Sequence, residues 1–214
     1  MLLIVLTMLS LSTAGNDEIL IYNAYINNDM MAWKAAIDRI QNQEIKSNRR
    51  LLQLVNYQYG YIAWCIGSNR KIKAKSYILL AEKNLAILER NNHNLSMVQA
   101  YKSAFYGYRI GLNTLHAPFI GHKSIRCAEQ ALKLDPENYF AYMQLGNIEY
   151  YMPPVFGGSI VNAINYYQKA KTLLEEDRVS VLQDWNYLQL LTIIAKTHYA
   201  TGNYQSAKTY YKTI

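Results

Sequence analysis

From residue 17 onward, apolar side chains recur at three- and four-residue spacing, the period of helices that bury one face. The pattern breaks at Asn27-Asn28-Asp29, Lys46-Ser47-Asn48, Gly67-Ser68-Asn69, Asn91-Asn92, Pro118 to Gly121, Asp135-Pro136, Pro153 to Gly158 and Gly202-Asn203. These residues cap a helix, enter the left-handed region at low cost, or cannot continue a helix. The spacing predicts about ten helices in antiparallel pairs joined by short connections. Four prolines and ten glycines are too few turn formers for a many-stranded β protein of 214 residues.

The pairs resemble one another. Tyr59-Gly60-Tyr61 recurs as Tyr106-Gly107-Tyr108, and Gly107, Ser124 and Ala131 recur at the same spacing as Gly146, Ala163 and Ala170. Small residues at matched points let facing helices approach closely, so these positions are expected at helix–helix contacts. Leu145-Gly146 followed by Ala163, Tyr167 and Ala170 resembles the tetratricopeptide repeat, with Leu-Gly on its first helix and Ala-x-x-x-aromatic-x-x-Ala on its second. Ala131 to Pro136 is similar to the repeat's ending. Leu191, Ile194, Ala195, Gly202, Tyr204, Ala207 and Tyr211 sit at the spacing of a further repeat. The likeness is clearest over 95–214 and degenerates over 17–94. It implies an all-α, right-handed superhelical solenoid in one domain, 15–214. Two pairs carry inserted residues, His116 to Gly121 and Met152 to Gly158, so both loops are expected to bulge from one edge.

Residues 1–14 are apolar except for Thr and Ser and end in Ser12-Thr13-Ala14, a small-x-small pattern that suits cleavage before Gly15 or Asn16. No Lys or Arg follows Met1, so either the true start lies upstream or the run is an apolar first helix. Export to the periplasm or medium is the expectation adopted, with a cytoplasmic location if the run is no signal and no membrane span in the mature chain. The net charge of +7 and a pI near 9.2 raise nucleic acid as a partner. The basic residues cluster only at Arg49-Arg50 and Arg70 to Lys75, each at a helix start, which reads as solvated helix surface. Cys65 and Cys127 lie within helical patterns and read as buried free thiols.

No nucleophile elbow, phosphate loop or dinucleotide fingerprint occurs, and His116, His122 and Cys127 match no compact zinc spacing. No catalytic, cofactor or metal site is therefore expected. Twenty tyrosines against four phenylalanines suit half-buried surfaces with one wet end. In the tetratricopeptide family the first helix of each pair lines a concave groove. Carried over, that gives Tyr57, Tyr61 and Trp64; Tyr101, Ala104 and Tyr108; Phe140, Met143, Asn147 and Tyr150; and Gln189, Thr192, Lys196 and Tyr199. The resemblance implies a scaffold that holds another protein or peptide in this groove. The alternative is a transporter-associated or envelope-assembly subunit with a small apolar ligand there. The sequence stops inside its last helix without a polar capping helix, which leaves self-association through that end open.

Overall fold

A computed structural model describes residues 16–176 and 181–214. The expected signal segment lies outside the described residues. Ten α-helices and two short 3-10 turns account for the regular structure among them. The helices are α1 (16–26), α2 (Met30–Gln41), α3 (Asn48–Gly67), α4 (Lys71–Arg90), α5 (Leu95–Leu112), α6 (Ala117–Leu134), α7 (Tyr139–Tyr151), α8 (Ile160–Glu175), α9 (Trp185–Ala200) and α10 (Tyr204–Thr213). No helix among the described residues is long and apolar enough to cross a membrane.

Local chemistry sets the boundaries. Asp29, Ser47, Asn94, Asn138, Ser159, Asp184 and Asn203 each accept a hydrogen bond from a first-turn amide of the helix that follows. Four turns close alike. Asn28, Asn69, Asn92 and Gly202 adopt positive φ, and the next amide donates back across five residues: Asp29 to Ala24, Arg70 to Cys65, His93 to Leu88 and Asn203 to His198. That is the left-handed helix closure for which Asn and Gly are the residues of lowest strain.

The two inserted turns depart from this closure. Pro118 to Gly121, expected as a break, belongs to α6, because proline in a first helical turn removes no needed donor. The break is instead Asn113 to His116, where Thr114–His116 forms a 3-10 turn. Between α7 and α8 a second 3-10 turn, Pro154–Phe156, leads into Gly157 at φ +101°. A Cβ on Gly158 would stand 1.8 Å from the Met152 carbonyl oxygen, so only glycine fits there.

The helices pack as hairpins α1–α2 to α9–α10, and α3, α5 and α7 lie side by side. In α7–α8 the small-residue expectation holds: a Cβ on Gly146 would lie 2.4 Å from the Tyr167 ring. In α5–α6 it does not, since nothing lies within 4 Å of a Cβ on Gly107. Close approach there falls about one and three turns earlier on α5, at Ser103 and Ser96. The Ser103 and Ser124 hydroxyls lie 3.2 Å apart, Ser124 also donates to the Ser103 carbonyl (2.9 Å), and Ser96 donates to the Ala131 carbonyl (2.8 Å). Tandem hydroxyls replace the Gly–Ala contact in this hairpin.

Candidate functional site

The array bends far enough for its last pair to meet its first. Trp185, the first residue of α9, packs edge-on to Trp33 of α2 (centroids 4.9 Å), and its ring lies 6.0 Å from Tyr25 of α1 and 6.3 Å from Tyr59 of α3. Polar groups fix this seam. Asn56 donates to the Tyr101 hydroxyl (2.8 Å) and to Asn186 (2.9 Å), and accepts from the Trp185 indole (3.0 Å). The Trp33 indole donates to the Tyr57 carbonyl (2.9 Å). Gly60 permits the approach, because a Cβ there would lie 2.6 Å from Trp33 and 2.8 Å from Trp185.

Tyr59 stands at the centre of the space enclosed by α3, α5, α7 and α9. Its ring stacks on Tyr108 (5.3 Å, 15° between planes) and meets Phe140 edge-on (5.0 Å) and Tyr101 (6.1 Å). Burial raises its pKa, opposed in part by the polar side chains of Tyr108, Gln144, Gln189 and Asn147. Burial also holds Tyr108 well above the ordinary value, with Tyr59 and then Tyr151 adding to the shift. A ladder of polar contacts runs along α7: the Tyr167 hydroxyl donates to Asn147 (3.0 Å), which donates to Gln144 (3.2 Å). Beside Tyr59, the Gln144 side-chain nitrogen and the Gln189 side-chain oxygen are buried without a partner among the described residues. A buried polar group with no partner is costly, so such a pair marks where a water or ligand group belongs.

The expected groove residues separate into three groups. Tyr57, Tyr61, Tyr101 and Phe140 are buried in the chain itself, where a half-open groove lining was expected. Tyr61 and Trp64 share a stripe of α3 turned toward α4: Tyr61 packs on Tyr77 (4.9 Å) and Trp64 (5.5 Å), and the Arg70 guanidinium lies 4.4 Å over the Trp64 ring. Tyr108, Asn147 and Tyr150 are half-buried, the first two around Tyr59 and the third against Tyr151 (4.9 Å, edge-on). Lys196 and Tyr199 are exposed near the end of α9, where Tyr199 meets Tyr204 (5.2 Å). Cys65 is buried and Cys127 half-buried, both free.

Sequence reasoning missed Tyr59, Tyr151, Trp33 and Trp185. Tyr59 lies two residues, about 200° of helical rotation, from Tyr57 and Tyr61, hence on the face opposite the stripe chosen. Gly60 beside it is the signal that a bulky partner approaches that side.

Together these features define an all-helical repeat protein in which the start of α9 meets α1, α2 and α3 and a tyrosine cluster gathers around Tyr59. No known family profile and no curated relative matches the sequence. Among solved structures the chain is similar to the HusA haemophore from Porphyromonas gingivalis, at a TM-score of 0.65 and 20% identity, over 85% of this chain and 92% of that one. At that identity the likeness shows the fold.

Proposed function

We propose that this protein is an exported, non-enzymatic binding protein of tetratricopeptide type. It carries a small, flat, largely apolar ligand against Tyr108, Tyr150 and Tyr151. The observation that carries the reading is the polar pair beside Tyr59. The Gln144 side-chain nitrogen and the Gln189 side-chain oxygen are buried without a hydrogen-bond partner among the described residues, and Tyr108 stacks on the Tyr59 ring next to them. Aromatic faces supply area at small entropic cost, and a few polar groups beneath them fix orientation, the usual composition of a small-ligand site. The burial of Tyr57, Tyr61, Tyr101 and Phe140 argues against a peptide laid along the whole inner face, since those rings are already covered within the chain. The fold neighbour is described as a haemophore, so the porphyrin class is the first ligand to test.

The test is an absorbance titration with hemin, repeated with metal-free protoporphyrin. Binding is expected with both, and Tyr150→Ala/Tyr151→Ala should weaken it about tenfold or more with little change in melting temperature. Absence of any spectral change, together with no ligand-induced rise in melting temperature, would refute the porphyrin assignment.

A further inference from the structure

The ten helices create two unlike ends. The turns within pairs gather at one end and the turns between pairs at the other. Exposed large apolar side chains concentrate at the first: Ile72, Leu115, Phe119, Val155 and Phe156 are 72% to 88% exposed. Phe119 and Leu115 flank the α5–α6 turn, Val155 and Phe156 form the α7–α8 turn, and Ile72 opens α4. Ile45 and Leu182 are exposed singly at the opposite end, whereas five such residues fall on three successive within-pair turns here, and a set of that size calls for an explanation.

Cations predominate there. Arg70, Lys71, Lys73, Lys75, His122 and Lys123 stand in or beside these turns. Two acids lie nearby: Asp29 caps α2, and Glu149 has one carboxylate oxygen buried without a partner among the described residues. Glu44, Glu89, Asp135, Glu137, Glu176 and Asp184 lie at the opposite end. The run Arg70-Lys71-Ile72-Lys73 occupies the positive end of the α4 dipole, with no acidic residue in its first turn and no side-chain cap. Cations at a helix N-terminus disfavour the helix. Arg70 is held over the Trp64 ring, while no acidic residue in that turn offsets Lys71 and Lys73.

We propose that this end of the molecule docks on an anionic lipid surface, with Phe119, Val155 and Phe156 entering the headgroup layer and the α4 cations facing lipid phosphates. Apolar projections ringed by Lys and Arg are the composition of interfacial membrane binders. The inference is separate from the ligand reading, because none of these residues belongs to the tyrosine cluster around Tyr59.

Co-sedimentation of the full chain with vesicles of phosphatidylcholine alone, and of phosphatidylcholine mixed with phosphatidylglycerol, tests it. Binding is expected to the mixed vesicles and to weaken steeply with salt. Phe119→Ser/Phe156→Ser and Lys71→Glu/Lys75→Glu should each lower partitioning about tenfold or more. The charge variant should melt no lower than the parent, since Glu suits that helix end; a general loss of structure would lower both readouts. Residues 1–14 are common to all variants, so their own affinity for lipid cancels. Hemin titration of both variants should match the parent, which separates failure here from failure of the ligand reading. Equal binding to neutral and mixed vesicles, no binding to either, or binding indifferent to both variants would overturn the proposal, as would capture of a protein partner that alone responds to them.

Discussion

Gly60 and Gly107 look interchangeable in the sequence, each between two tyrosines, and the structure gives them opposite roles. At Gly60 an added methyl would push into two buried indoles, so Gly60→Ala should destabilise by about 1–3 kcal/mol, read as a lower urea midpoint. At Gly107 the space is empty and the backbone is helical, so Gly107→Ala should raise stability by about 0.5–1 kcal/mol. The reverse order would contradict this packing. The tyrosines also set a pH limit. Burial, more than any neighbour, pushes Tyr61 and Tyr187 up to about 12 from the ordinary 10.0, and Tyr59, Tyr101 and Tyr108 also lie above it. Their neutral forms are favoured in the folded chain, so their contribution is complete below pH 10 and drains away as pH rises toward 12 and beyond. Melting temperature should therefore fall steeply above pH 10, and a flat profile to pH 12 would contradict the buried tyrosine cluster.

At the scale of elements, the helix pairs were legible because their ends are written in single residues. Asn, Asp, Ser and Gly at the turns carry caps and left-handed closures that need no tertiary help. The α5–α6 boundary was displaced because proline both ends helices and begins them, and only the geometry decides. The surroundings of Tyr59 were less legible. The tetratricopeptide resemblance pointed to Tyr108, Asn147 and Tyr150, but a tyrosine's hydroxyl suits a buried network and an open surface equally well, so Tyr57, Tyr61 and Tyr101 could not be sorted. Nor does periodicity reveal Asp17. Its nearly buried carboxylate pairs with Arg50, itself mostly covered, and with the more exposed Arg39, tying α1 to α2 and α3. Removing one partner of a buried pair strands the other's charge. Asp17→Ala should cost about 3 kcal/mol, reduced to the extent that water reaches Arg39, and should raise amide exchange in α1 first.

Across the whole molecule, the feature least visible in sequence is the seam between first and last pairs, which joins Asn56 to Trp185 and Asn186 through contacts no local pattern encodes. An open array unfolds from its ends, because each repeat touches only its neighbours. Here the seam ties α9 to α1, α2 and α3, so loss of helix and loss of tyrosine burial should coincide in a single transition. Trp185→Ala should cost about 3–5 kcal/mol and split that transition in two. A single unchanged transition would mean the seam contributes nothing to cooperativity. The seam has an optical consequence as well. Of the three tryptophans, Trp33 and Trp185 face each other across it, while Trp64 lies under Arg70 at the end that carries the basic turns. Intrinsic fluorescence therefore divides by location. With Trp64 replaced by phenylalanine, the remaining emission would gauge closure of the array alone, without any attached dye.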